Sequence, residues 1–335
     1  MKIQAYAALK PGLLLEPFEY EPSPAEVGPA QIEIAISHCG VCHSDIHLLN
    51  NDWGITQYPM VPGHEIIGTI TRAGRGVKSL REGQRVGVGW ESGSCGQCEF
   101  CVRGEENVCL EWRGTCTHGY GGYASAIRVD SRFAVPIPES MPSEPAAPLL
   151  CGGVTVYAPL AQEVRPAMRV GVIGVGGLGH LALQFASAFG CEVAAFSTSP
   201  AKEAEARRLG AHHFIHAGDA AAMEKVANSF DFIISAAPVD LVWSAYINVL
   251  KPKGKLCVVG VPPSEIRLPA FPLIAGRKSV FGSPVGSPSM ISEMLEFSAR
   301  NNVRPVTEAF PMAQVNAALE RAWRNEVRYR AVLVN

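Results

Sequence analysis

The sequence has almost no surplus of charge: 29 Lys and Arg stand against 31 Asp and Glu, and only 18% of its 335 residues are charged. No basic stripe runs along it, so nucleic acid is not an expected partner. It has no run of about 18 uncharged apolar residues, which argues against a membrane-spanning helix. The opening Met1-Lys-Ile-Gln-Ala-Tyr6 lacks the charged start and apolar core of a secretory signal. A cytoplasmic setting is therefore expected, where clustered thiols stay reduced and hold metal more often than they pair. Internal repeats and low-complexity tracts are also missing. What is there is an ordinary globular composition, 47% hydrophobic, and enough length for two domains with their own cores.

The most informative stretch is Gly93-Ser-Cys95-Gly-Gln-Cys98-Glu-Phe-Cys101-Val-Arg-Gly-Glu-Glu-Asn-Val-Cys109. Four thiols spaced C-x2-C-x2-C-x7-C can close around one tetrahedral cation, and a four-thiolate site suits a structural zinc. The iron–sulfur alternative fits less well, because the bacterial ferredoxin run has a shorter last gap followed by Pro, whereas Leu110 follows here.

Residues 1–151 are rich in Gly, Pro and β-branched residues. Gln31–His38, Ile66–Ala73, Arg85–Gly89 and Tyr123–Val129 alternate like half-buried strands. The pattern changes near Cys151. From Met168 onward, apolar runs at Arg169–Ile173, Glu192–Phe196, His213–Ala217, Phe230–Ala236, Lys255–Val261 and Ser279–Gly282 alternate with candidate helices at Gly179–Phe189, Ala201–Leu209, Ala220–Ala227 and Val239–Val249. That alternation predicts an α/β domain with a doubly wound parallel sheet over residues 152–284. Helical stretches at Ser289–Arg300 and Met312–Asn325 and a strand at Tyr329–Val334 are expected to rejoin the first domain. The β-rich domain is then residues 1–151 and 285–335, with a metal lobe at 93–110, and the nucleotide domain is an insertion.

Gly174-Val-Gly176-Gly177-Leu178-Gly179 follows an apolar strand and opens a helix. In that context G-x-G-x-x-G reads as a Rossmann dinucleotide fingerprint: one glycine for the turn, one for approach of the pyrophosphate, one for helix–strand packing. An NAD site usually has an Asp or Glu about 20 residues on, bonding the ribose hydroxyls. Here the second strand ends in Ser197-Thr198-Ser199, with Lys202 nearby and no carboxylate at that point. Hydroxyls and an ammonium suit a 2′-phosphate through charge-assisted hydrogen bonds, which favours NADP(H).

A second constellation lies in Cys39-Gly-Val-Cys42-His43-Ser44-Asp45-Ile-His47, Pro62-Gly-His64-Glu65 and Cys151-Gly-Gly-Val-Thr155. Two thiolates and an imidazole with one open position make a catalytic zinc pattern, although spacing alone does not select Cys42 over Cys39. Gly40–His47, Pro62–Glu65, the four-cysteine lobe, Gly174–Gly179 and Ser197–Lys202 together resemble the zinc-dependent medium-chain alcohol dehydrogenases, within them the NADP(H)-using cinnamyl alcohol dehydrogenase-like branch. The resemblance covers nearly the whole chain.

That resemblance implies a GroES-like catalytic domain, two zinc ions per chain and a homodimer formed through the edge of the nucleotide domain's sheet. It implies Cys42, His64 and Cys151 as catalytic zinc ligands, with Glu65 able to approach the metal and Asp45 orienting His64. It implies Ser44 as the group that takes the substrate proton and His47 as the one that passes it to solvent through the nicotinamide ribose. His43 would lie near the pyrophosphate, Thr155 at the nicotinamide and Arg330 on cofactor phosphate. Of the loop tryptophans Trp53, Trp90 and Trp112, some would lie near the substrate pocket, and Cys39, Cys116, Cys191 and Cys257 match no ligand position. The expected activity is hydride transfer between NADPH and an aldehyde or primary alcohol of aromatic, cinnamyl or medium-chain type, acting as an aldehyde reductase. Two alternatives stand beside it: an NAD-linked polyol or secondary alcohol dehydrogenase of the same fold, disfavoured by Cys151 and Ser197, and a non-catalytic zinc-stabilised binding protein, disfavoured by the intact Cys42, His64, Cys151 and Ser44.

Overall fold

The pairing of strands decides which loops of the chain become neighbours. The computed structural model describes residues 2–335. They form two units, one of the chain up to Val154 together with Val285–Asn335, the other Thr155–Pro284. The helix Gly152–Glu163 spans the first boundary.

In the first unit, Gln31–Gly40 is the central strand. It pairs antiparallel with Ile66–Ala73, with Ala126–Asp130 and with the C-terminal strand Arg330–Val334. Arg85–Val88 and Ala134–Pro136 extend the sheet on one side, and Thr307–Pro311 lies parallel to Arg330–Val334 on the other. Two strands the alternation did not announce, Ile3–Ala7 and Glu16–Tyr20, make a separate antiparallel pair. Ile32, Ile34, Ile36, Ile66, Ile70, Val86 and Val88 all enter one apolar core.

The central strand is not simply half-buried. Glu33, which alternation assigns to solvent, is fully buried. Arg128 covers it: Nη2 lies 2.5 Å from Glu33 Oε1, and the same guanidinium donates to the carbonyls of Pro24, Ala25 and Glu26. A buried carboxylate is tolerable only with such a partner.

The second unit holds six parallel strands in the spatial order His213–His216, Glu192–Ser197, Arg169–Ile173, Phe230–Ser235, Leu250–Val258, Ser279–Gly282. In chain order this is 3-2-1-4-5-6, the doubly wound arrangement, and its order reverses between Arg169–Ile173 and Phe230–Ser235. The glycine-rich turn leaves Ile173 at that reversal. Phe196, Phe230 and Tyr246 pack with ring centroids 5.2–5.6 Å apart in the core between sheet and helices. The helix read at Val239–Val249 begins only at Trp243. Asp240 takes the N–H and hydroxyl of Ser264 instead of capping a longer helix, and Val239 and Val242 stay exposed. The fifth strand starts at Leu250 rather than Lys255, because Leu250 pairs with Phe230 across an irregular register. Among the described residues, no helix is long and apolar enough to cross a membrane.

Glu91, on the short strand Glu91–Gly93 beside the cysteine lobe, is buried. Burial and the charge of Glu106 push its carboxyl up to about 8. The folded value lies above the unfolded one, so the stability it confers is complete below about pH 4.5 and is lost as the pH rises through about 8, at a slope of at most ~1.4 kcal/mol per pH unit. Glu91→Gln should melt like the wild type near pH 5 and several degrees higher near pH 9. Thermal melts at both pH values check this; parallel pH profiles for the two proteins would refute it.

Candidate metal centres and cofactor turn

Strand register builds the buried centre. Cys39 pairs with Ile66 at the end of the central strand, and Gly40 N–H donates to the Glu65 carbonyl at 2.9 Å. Cys42, just past one strand, therefore sits beside His64, just before the other. A side chain at Gly40 would displace Glu65, because a Cβ there would stand 1.9 Å from Glu65 Oε2. The C-terminal strand closes the third side: Val41 N–H donates to the Ala331 carbonyl, which brings Arg330 to Glu65. Cys151 arrives from another direction, after the tight turn Ala147–Leu150.

Cys42, His64, Glu65 and Cys151 present donor atoms that all lie within 4.8 Å of one another. His64 and Glu65 are wholly buried. His64 Nδ1 faces Asp45 Oδ1 at 3.0 Å, which leaves Nε2 as the outward nitrogen, buried and without a hydrogen-bond partner. Such an orphaned atom facing two thiols is what a soft cation would satisfy. Cys151 and the nearby His64 and Arg330 hold the Cys42 thiol well below its ordinary value. Burial pushes the Glu65 carboxyl up to about 7, against the pull of Arg330.

Asp45 organises this centre. It is the third residue of the helix His43–Asn50, and its Oδ2 accepts from the Cys42 N–H at 3.0 Å, a capping-box arrangement. Oδ1 accepts from the Gly63 N–H at 3.0 Å, and the Tyr123 hydroxyl donates to Oδ2 at 3.1 Å. Ser44 and His47 lie three positions apart on the same helix, hence on one face. His47 Nδ1 pairs with Asp52 Oδ2 at 2.8 Å. His43, the first helical residue, is exposed.

The three tryptophans come together. Trp90 stands edge-on to His64 at 4.8 Å, with Trp53 6.1 Å and Trp112 6.3 Å from it, and Trp53 stacks on His47 at 5.2 Å. Arg330, expected on cofactor phosphate, is buried here, donating to Glu65 and to the Val41 carbonyl. Two further residues escaped sequence reasoning. Cys116 places its sulfur 3.9 Å from His64 Nδ1, and Tyr123 reaches Asp45. A lone cysteine and a strand tyrosine carry no local signal of either contact.

The lobe is compact. Cys95 Sγ lies 3.8 Å from Cys101 Sγ and 3.6 Å from Cys109 Sγ, and all four sulfurs fall within 4.8 Å. These spacings match the roughly 3.8 Å edge of a tetrahedron with 2.3 Å zinc–sulfur bonds, and far exceed a disulfide. The N–H groups of Gln97 and Cys98 bring the Cys95 thiol down to about 7.

In the second unit, Gly174 takes φ +87°, and a Cβ on Gly179 would stand 1.7 Å from the Gly174 carbonyl oxygen. The turn Gly174–Leu178 thus delivers the N-terminus of the helix Gly179–Ala188, the positive end of its dipole, to the switch point of the sheet. Lys202 Nζ donates to the Val175 carbonyl at 2.6 Å, which joins the Ser197–Lys202 segment to that turn. Ser197 Oγ accepts from the Ser199 N–H at 3.2 Å. Thr198 offers its carbonyl to His216 at 3.0 Å. Thr155 lies half-buried on the helix Gly152–Glu163.

Comparison with known proteins fits this layout. Residues 28–139 match the alcohol dehydrogenase GroES-like domain, and residues 177–300 match the zinc-binding dehydrogenase domain. The chain is 43% identical over 332 residues to the aldehyde reductase AdhA of Synechocystis sp., spanning 99% of this chain and 98% of that protein. A cinnamyl alcohol dehydrogenase structure from Sorghum bicolor superposes with a TM-score of 0.95 at 40% identity, covering 100% of this chain and 98% of that one. A second, from Helicobacter pylori and complexed with NADP(H), has a TM-score of 0.90 at 33% identity, over 99% and 98% of the two chains. With relatives this similar over its whole length, the chain belongs to the zinc-binding alcohol dehydrogenases, a family of oxidoreductases.

Proposed function

We propose that this chain is an NADP(H)-dependent zinc alcohol dehydrogenase that works as an aldehyde reductase on aromatic, cinnamyl-type or medium-chain aldehydes. The observation that carries the reading is the set of half-buried Cys42 with buried His64 and Cys151, in which His64 Nε2 has no partner and faces two thiols. These residues would hold the catalytic zinc, with Glu65 beside them as an alternate ligand. Cys95, Cys98, Cys101 and Cys109 would hold a structural zinc. When bound, zinc supplies a Lewis acid for the substrate oxygen, and NADPH supplies the hydride.

The chain's own residues do the rest. Asp45 fixes the His64 tautomer, since a carboxylate on Nδ1 keeps that nitrogen protonated. Ser44 Oγ holds the proton that the substrate oxygen gains, and His47, one helical turn on and anchored by Asp52, exchanges it with solvent. Trp53, Trp90 and Trp112 form the apolar wall against which a flat side chain packs. Gly174–Gly179 and the helix they open seat the pyrophosphate, and Ser197, Thr198, Ser199 and Lys202 receive the 2′-phosphate. Thr155 bears on the nicotinamide, while Arg330 holds Glu65. A second copy of the chain is the expected partner. The outer edge of Ser279–Gly282 is unpaired within the sheet, and the neighbouring helix exposes Phe271 and Ile274, at 78% and 74% of their surfaces. Ten reduced cysteines accord with a cytoplasmic home.

The two metal centres should separate by mutation. Cys42→Ala is expected to abolish turnover while the chain stays folded, whereas Cys98→Ala should lower the melting temperature, because a closed tetrathiolate site contributes folding energy. Metal analysis and melts distinguish them; wild-type turnover in Cys42→Ala would sink the assignment.

Ser44→Ala should keep both metals and NADPH affinity yet lower kcat by about 10²–10⁴-fold. His47→Ala should be milder, since water can substitute at the solvent end. Steady-state kinetics with cinnamaldehyde check this, and an unchanged kcat in Ser44→Ala would remove Ser44 from the proton path.

Cofactor choice is the third test. Hydrogen bonds to a charged group are worth about 1.5–3 kcal/mol each, so the wild type should prefer NADPH at least tenfold in kcat/KM. Ser197→Asp should reverse much of that preference, and Lys202→Ala should weaken NADPH more than NADH, with a loss that shrinks at high salt. Equal efficiency with both cofactors in the wild type would show that Ser197–Ser199 is only a polar turn.

A further inference from the structure

We propose that Tyr123 is a positioning residue for the His64 centre. Its hydroxyl, acting through Asp45, holds the imidazole so that Nε2 points at Cys42 and Cys151. The inference rests on the reading of Cys42, His64 and Cys151 as zinc ligands.

Tyr123 is fully buried, and its hydroxyl donates to Asp45 Oδ2 at 3.1 Å. A buried hydroxyl is unfavourable unless it is hydrogen-bonded, and a phenylalanine would fill the same space without that demand. The oxygen atom therefore answers to something other than packing. Asp45 is itself wholly buried and collects four donors: the N–H of Cys42 and the Tyr123 hydroxyl on Oδ2, the N–H of Gly63 and His64 Nδ1 on Oδ1. Three of those donors belong to the metal-binding loops themselves. Tyr123 is the one that comes from outside them, so it is the external brace of the carboxylate.

Its grip extends further. The Tyr123 N–H donates to the Pro62 carbonyl at 3.0 Å, and its own carbonyl accepts from Tyr6 at 2.9 Å. The ring lies against Gly63, where a Cβ would come within 2.6 Å of Tyr123 Cδ1. Ring, hydroxyl and backbone all bear on the loop that ends in His64. Without the hydroxyl, Oδ2 keeps only the Cys42 N–H, and the carboxylate gains freedom to rotate away from His64 Nδ1. A partner one hydrogen bond from a ligand, as Asp45 is, commonly changes metal affinity by 10–100-fold, and Tyr123 acts one bond further out, toward the low end of that range.

The test uses the full-length, zinc-loaded enzyme and follows zinc release into a colorimetric chelator. The centre containing His64 and the four-cysteine lobe give separate phases, assigned with Cys98→Ala. Tyr123→Phe is expected to release the first zinc about tenfold faster and the lobe zinc at the wild-type rate, with a near-unchanged melting temperature. In an Asp45→Asn background the same substitution should add nothing, because the path through the carboxylate is already broken. Release at the wild-type rate in Tyr123→Phe would overturn the proposal, as would slowed turnover in Tyr123→Leu alone, which would make ring packing the whole effect. Equal acceleration with and without Asp45 would overturn it as well. A wild-type chain that holds a lobe zinc and no other would instead overturn the ligand reading beneath it, an outcome visible before any variant is made.

Discussion

One stretch of antiparallel register holds the candidate active centre together. The bond from the Gly40 N–H to the Glu65 carbonyl closes the pairing of the central strand with Ile66–Ala73, and it sets Cys42 against His64. Shifting that register by one residue would turn every side chain to the opposite face and separate the two. The absence of a side chain at position 40 is part of the same constraint, since Glu65 occupies the space a Cβ would need. The C-terminal strand then locks the pair from the other edge through Val41 and Ala331. The candidate metal centre thus depends on backbone geometry contributed by three segments far apart in the chain.

What could be read from the residues follows this division between local and distant. The four-cysteine lobe and the glycine-rich turn are legible because each is nearly continuous in sequence: spacing alone brings Cys95, Cys98, Cys101 and Cys109 together, and a strand, a turn and a helix place Gly174–Gly179. The strands of the parallel sheet were legible too, as short apolar runs. The set of Cys42, His64 and Cys151 was not legible from spacing, since Cys39, three residues away, carries the same chemistry and points into the apolar core instead. Only the resemblance to a family separated them. Long-range polar contacts left no trace. Nothing in Arg330 announces that it will be buried against Glu65, and nothing in Val239–Val242 announces that Asp240 will bind Ser264 and cut the helix short.

Charge is sparse in this chain, and a few charged groups are enclosed within the first unit. Glu33 with Arg128, Glu65 with Arg330, and Asp45 with its four donors are all buried, and each is matched. Buried ion pairs add little net stability compared with apolar residues of the same size, but removing one partner is costly, about 3–5 kcal/mol. Such pairs specify geometry more than they stabilise it. Two of the three stand within reach of the His64 loop, where an error of an ångström in a ligand matters most.

The Arg128 contact has a consequence of another kind. The connection Glu21–Ala30, with its proline, glycine and glutamate, has the composition of a loose linker, yet the carbonyls of Pro24, Ala25 and Glu26 all converge on one guanidinium. The Pro24–Glu26 part of that connection is therefore held by a single side chain, which works as a latch, while Gly28–Ala30 bond to neighbouring backbone and Gln31. While it is closed, the connection stays bent although its residues are exposed, and it offers a protease no extended stretch of backbone. Opened, it would become an accessible tether between two strands, and hence the natural place in the first unit to cut the chain or splice a new segment into it.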